Sequence, residues 1–397
     1  MFDLSSGERA QLQLAVAEYL VESNFMESAK VFCREAGISV PTPGERQTLE
    51  RRWRSVLRLQ RRVVELERGG PVQQTSKEWS VRAPSVVALK GHRGGVSSVA
   101  AHSASGVVVS AAEDGAVKLW DVDRRALLAT LASHIDAVTH VSLDEDRLLA
   151  CSADGTAKLY DLVDDGAAAR ATLRGHEGPV LCGSFLPARR GMVATAGRDG
   201  DVRAWDERGF ARRVSQNALG EDRWVRAIAA VDDADDDCWL ALAGSSDVAH
   251  LSRVSPDDGA LDAETVRVEG HAHQLEAVAW APKTVLGPSL ILATASRDAT
   301  VRVWRFDAPR RTVASVAVLD GHASWVRALC WFPCAKRLVT ASDDRSLKVW
   351  EVQAAHRCLR TIDAAHASFV TTIALHGPSA QLVSGGADKL IKLWDCR

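Results

Sequence analysis

At 397 residues the chain is longer than one ordinary domain. Its 49 basic and 51 acidic residues leave a formal charge of -2, too even a balance to make a general field for nucleic acid or an anionic membrane, so partners are expected to find it by local patches. No apolar run nears membrane-spanning length and no basic-then-apolar leader opens the chain, which argues against membrane insertion and for a soluble, unsecreted protein.

Eight cysteines form no Cys-x-x-Cys pair. Cys330 and Cys334 come nearest and have no second ligand pair beside them, so reduced thiols, no metal and no cofactor are expected.

From the N-terminus, Ser5 and Glu8 make a capping box, and Leu12, Val16, Tyr19 and Leu20 follow at helical spacing. Asn24 interrupts, after which Phe25, Ala29, Phe32 and Ala36 resume the period. Two short helices within residues 1–40 bury too little by themselves, so this segment is expected to dimerise through Leu12, Val16, Tyr19, Leu20, Phe25 and Phe32. Over 45–68, Val56, Leu59, Val63 and Leu66 recur at steps of three and four amid Arg and Glu, which predicts a short coiled coil in the same dimer. The competing reading is a single amphipathic helix packed on its own chain. Arg68-Gly69-Gly70-Pro71 ends that helix, and 69–83 reads as a flexible linker.

Beyond the linker a phrase repeats: Gly91-His92 to Trp120-Asp121, His134 to Tyr160-Asp161, Gly175-His176 to Trp205-Asp206, Gly270-His271 to Trp304-Arg305, Gly321-His322 to Trp350-Glu351, and His366 to Trp394-Asp395. Within each, apolar runs flank an Asp-centred turn, as in Val107-Val108-Val109-Ser110, Asp114-Gly115 and Val117-Lys118-Leu119-Trp120, a hairpin signature. A period of about 40 to 45 residues with Gly-His and Trp-Asp resembles the WD-repeat β-propeller family, in which each repeat is one four-stranded blade. The resemblance spans 84–397 and predicts an all-β, seven-bladed propeller.

Aligned on the turn, five repeats carry a hydroxyl four residues before the Asp: Ser110, Thr195, Thr294, Thr340 and Ser384 before Asp114, Asp199, Asp298, Asp344 and Asp388. With His92, His176, His271, His322 and His366 they could be taken for hydrolase triads. A catalytic set is needed once, however, and five copies at one period fit hydrogen-bond chains that satisfy buried groups. The second repeat has Ala150 and Tyr160 in place of the hydroxyl and Trp. The fourth has Gly220-Glu221 and no closing Trp, but Trp224-Val225-Arg226-Ala227-Ile228, Leu240-Ala241-Leu242-Ala243 and the turn Asp247 keep blade order. Between its strands, Asp232, Asp233, Asp235, Asp236 and Asp237 read as a solvated loop without the glycine and terminal Glu of a calcium site. The chain ends without a last outer strand, and Val86-Val87-Ala88-Leu89 ahead of the first repeat is expected to supply it.

The residue before each turn Asp and the residues opening each inner strand are expected on one face. They are Glu113, Ala153, Arg198, Arg297, Asp343 and Ala387, with Trp224, Arg226, Trp325, Arg327 and Phe369. Exposed Trp and Arg dominate protein interfaces, so Arg198, Trp224, Arg226, Arg297, Trp325, Arg327 and Phe369 are the predicted partner-binding residues. The competing reading packs Trp224 and Trp325 inside their blades and leaves Arg198 and Arg297 in weak surface ion pairs.

Leu4, Tyr19-Leu20, Phe32 and Glu35-Ala36 resemble a LisH dimerisation motif. LisH motif, coil, linker and propeller together resemble the lissencephaly protein family, most specifically at Trp53, Ser55-Val56 to Leu66-Glu67, Lys77-Glu78-Trp79, Trp325-Val326-Arg327 and the ending Lys392-Leu393-Trp394-Asp395-Cys396-Arg397. The resemblance implies a non-enzymatic homodimer that binds the motor domain of the cytoplasmic dynein heavy chain, with Arg198, Arg226, Arg297 and Trp325 at matching contact positions. It also implies roles in minus-end-directed transport, nuclear positioning and mitosis, in the cytoplasm, on the cytoskeleton and at the centrosome or microtubule-organising centre. Dynein cofactors of the NudE type and the catalytic subunits of type I platelet-activating-factor acetylhydrolase would be further partners. The alternatives are a scaffold subunit of a transcription or corepressor complex, or a regulatory subunit of an acetylhydrolase.

Overall fold

The computed structural model describes Val81 and residues 87–396, apart from short segments at 103–105, 133, 164–165, 188–190, 207, 217, 221–222, 234–236, 256–259, 263, 283–288, 354–355 and 378–380. The predicted LisH helices and coil, with all ten predicted dimerisation residues, lie outside the described residues, as does the predicted linker apart from Val81.

Among the described residues the strands form seven four-stranded antiparallel sheets. Blade one runs Val96–Ala101, Val107–Ala112, Ala116–Asp121 and Ala126–Ala132 from inside to outside. Blades two to six repeat this order over 138–174, 180–215, 225–268, 275–319 and 326–362. Blade seven takes three strands from 370–395 and its outermost from Val87–Lys90, whose Ala88 pairs with Lys392. The expected closure by the segment before the first repeat is therefore present, and Val81 extends it by bridging to Cys396.

The core is a ring of separate clusters between neighbouring blades. One joins Val383, Ile391 and Leu393 of blade seven to Val96, Val108 and Trp120 of blade one. Buried Trp rings need room, and the Gly-His glycines provide it: a Cβ on Gly270, at φ +152°, would stand 3.0 Å from the Trp304 ring.

All five expected side-chain chains are formed. Each indole N–H donates to the hydroxyl oxygen at 2.7–2.9 Å. Each hydroxyl meets His Nε2 at 2.7–2.8 Å. Each His Nδ1 meets the turn carboxylate at 2.7–3.1 Å. One neutral tautomer satisfies every link: the hydroxyl donates to Nε2 and Nδ1–H donates to Asp. In blade two Ala150 offers no hydroxyl, and buried His134 Nε2 has no hydrogen bond.

Two details of blade four differ from expectation. Gly244 pairs with Val225 as Ala112 pairs with Val96, so Ser246, and not Asp247, takes the turn-Asp place. Its hydroxyl accepts the Val248 N–H at 3.1 Å, as Asp114 accepts that of Ala116, and Arg223 donates to it where other blades use His. The hydroxyl and Trp positions are Leu242 and Ser252, in register with His250 and Leu240 respectively. Secondly, the acidic stretch is not simply solvated. Asp233 is buried and accepts the Trp239 indole N–H at 3.0 Å and the Asp237 N–H at 3.0 Å, so it ties the end of the first strand to the start of the second.

Candidate interaction face

Each turn Asp that binds His also accepts the backbone N–H of the next residue, such as Ala272 to Asp298 at 3.0 Å and Ala323 to Asp344 at 3.0 Å. Burial pushes Asp298 upward, but donors from the Thr300 hydroxyl, Ala272, His271 and Thr300 N–H outweigh it and hold the carboxyl at about 2. The charged turn thereby pins the loop entering the inner strand. In every blade the N–H just after the second strand donates to the carbonyl just before the first: Glu113 to Gly95, Ala153 to Ala137, Arg198 to Pro179, Ser245 to Trp224, Arg297 to Gln274, Asp343 to Trp325 and Ala387 to Phe369. The two sets of positions singled out in the sequence are thus held side by side.

A bulge follows at once. The register of each inner strand slips by one residue, between Val96 and Ser98 in blade one and at the equivalent place in the other six. The extra residues are Ser97, Thr139, Leu181, Arg226, Glu276, Arg327 and Thr371, and all seven line a central cavity of about 550 Å³. This ring has two characters. In blades seven, one and two, the hydroxyls of Thr371, Ser97 and Thr139 donate to the carbonyls of Val96, Val138 and Val180 in the next blade. In blades four to six the same positions are charged and bond to one another.

Glu276 is the centre of the charged half, with its side chain only 1% exposed. Its Oε1 accepts Arg297 Nε at 2.5 Å, and Oε2 accepts Arg226 Nε at 2.5 Å and an Arg327 terminal amino group at 3.1 Å. Asp343 takes Arg327 by both oxygens, at 2.9 and 2.8 Å. Burial raises the Glu276 carboxyl, yet the three guanidiniums together hold it below its ordinary range. The Arg297 guanidinium lies 4.2 Å, and that of Arg327 4.9 Å, from the centre of the Trp325 ring, which is 36% exposed.

Arg226, Arg297, Trp325 and Arg327 are therefore one cluster. Arg198 and Trp224 make a separate pair at 5.7 Å, and Phe369, 49% exposed, stands on the cavity wall. Trp325 is not packed away, and Arg297 pairs with a buried carboxylate and not a surface one. Glu276 was missed from the sequence. Its signal was available: Leu275-Glu276 follows Gly270-His271 at the spacing of Val326-Arg327 after Gly321-His322.

The WD domain, G-beta repeat model matches residues 84–121, 125–161, 168–206, 264–305, 314–351 and 356–395, and a LisH model matches 10–36. Nuclear distribution protein nudF 1 of Talaromyces marneffei is 30% identical over 97% of this chain and 92% of its own length. The chain belongs to the lissencephaly protein family. Two further relatives are nuclear distribution proteins PAC1: that of Yarrowia lipolytica is 28% identical over 98% of the chain and 99% of itself, and that of Arthroderma benhamiae 29% over 93% and 88%. As a WD-repeat member of this family the chain is a binding scaffold and not an enzyme. The interval 207–263 between two WD matches contains most of blade four, where the His, hydroxyl and Trp are replaced.

Proposed function

We propose that the protein is a dimeric regulator of cytoplasmic dynein whose Arg/Trp face binds the motor domain and biases it away from an inhibited conformation. The name nuclear distribution protein, carried by relatives matched along nearly the whole chain, supports a part in nuclear positioning through the dynein pathway. The observation that carries the assignment to this face is Trp325, exposed and flanked by Arg297 and by Arg327, the second of which also lines the central cavity. An amphipathic ring between guanidiniums is the side-chain chemistry of an interface hot spot, worth about 2 kcal/mol or more when a partner covers it. The N-terminal LisH segment and coil would join two propellers, and the same pathway would bring in dynein cofactors of the NudE type.

Binding to a recombinant dynein motor domain tests this reading. Arg297→Ala with Trp325→Ala should abolish binding while the protein stays folded and dimeric, and unchanged affinity removes the face from the account. A chain lacking residues 1–70 should be monomeric by mass and still bind; a persistent dimer refutes the N-terminal assignment.

A further inference from the structure

Three arginines from three blades converge where the inner strands bulge. Brought together alone, Arg226, Arg297 and Arg327 would repel one another and turn toward water. One carboxylate prevents this, because Glu276 offers each of them an oxygen from a nearly dry site. Arg226 and Arg297 are both held through Nε. Among the described residues neither makes another side-chain hydrogen bond, so the terminal amino groups of both remain for an incoming acceptor. The two cations beside Trp325 are those of Arg297 and Arg327, and both are anchored on Glu276.

We propose that Glu276 is the positioning residue of this face: it sets the guanidiniums of Arg226, Arg297 and Arg327, and through them the Trp325 ring, to receive a partner surface that pairs carboxylates with an apolar contact. The inference rests on the docking role proposed above. The acceptor class follows from geometry, since paired terminal amino groups match the two oxygens of a carboxylate. Arg327, tied by both oxygens of Asp343, serves as a fixed wall beside the ring and not as a free donor.

The full-length protein, labelled with 5-fluorotryptophan, provides a readout independent of any partner once the Trp325 resonance is assigned with Trp325→Phe. Glu276→Gln should move the Trp325 resonance while those of Trp205 and Trp120, in distant blades, stay in place. Its affinity for the recombinant dynein motor domain should fall at least about tenfold. Glu276→Asp keeps the charge one methylene short and should give a smaller change in both measurements. An unmoved Trp325 resonance with unchanged affinity in Glu276→Gln overturns the proposal. Should the Gln variant fail to fold, the Asp variant decides, and wild-type resonance and affinity in it overturn the proposal equally. Retained binding by the Arg297→Ala, Trp325→Ala protein sinks the docking role instead, and the resonance shift still judges whether Glu276 positions the ring.

Discussion

A single hydroxyl links indole to imidazole in each buried side-chain chain, accepting from the first and donating to the second. Thr340 is fully buried; it accepts the Trp350 indole N–H at 2.9 Å and meets His322 Nε2 at 2.7 Å. Thr340→Val keeps the shape and orphans two buried polar groups at once. Equilibrium denaturation should record a loss of about 2 to 4 kcal/mol, whereas Thr340→Ser, which keeps the hydroxyl, should lose less than half of that. Equal losses in the two variants would mean that methyl packing, and not the hydrogen bonds, stabilises the site. Blade two already lives with part of this defect, since Ala150 leaves His134 Nε2 unpartnered while Asp154 still holds Nδ1 at 2.9 Å.

Strands, not residues, decide how the ring closes. The outermost strand of blade seven, Val87–Lys90, covers the edge of Leu390–Asp395, and Leu89 is buried against Ile391 and Leu393. A chain starting at residue 91 would expose that edge and uncover part of the cluster between blades seven and one. It should aggregate or be cleaved rapidly by protease, and a peptide of residues 78–90 added in trans should restore protection; a truncated chain as resistant as the full one would contradict closure by this strand. The expectation of such a strand came from the repeat alone, because one blade was a strand short and one segment was spare. The slip in blade four escaped the same reasoning. Asp247 looks like a turn Asp in the text, and only the pairing of Gly244 with Val225 shows that Ser246 holds that place. Glu276 escaped for a different reason. Periodicity marks what repeats, whereas the residue at each bulge varies from Ser to Leu to Arg, and a carboxylate there gains meaning only when guanidiniums from two neighbouring blades arrive in space.

At the scale of the whole molecule, the repeated histidines make acid sensitivity a property of the ring. Burial is the largest influence on His92, His134, His271 and His366; the Asp beside each only partly opposes it, and all four lie below the ordinary 6.5. His140, on the cavity wall, is taken down to about 4 by burial alone. In the unfolded chain these imidazoles bind protons from about pH 6.5 downward, while the folded protein resists until lower pH. The stability they contribute is therefore complete above about 6.5 and is lost as pH falls through the folded values. The turn carboxylates add a second window of the same sign. Asp154 and Asp298, held at about 2, and Asp114, Asp199 and Asp388, held below the ordinary 3.8, lose their contribution as pH drops below about 4. Urea midpoints should accordingly fall between pH 7.5 and 5 and fall again between 4 and 3. A midpoint flat or rising from 7.5 to 5 would show that the buried imidazoles take up protons in the folded protein at least as readily as in the unfolded chain. For His92, His271 and His366 the hydroxyl–Nε2 link would then have to run the other way, from Nε2–H to the hydroxyl oxygen, with the indole and carboxylate links unchanged.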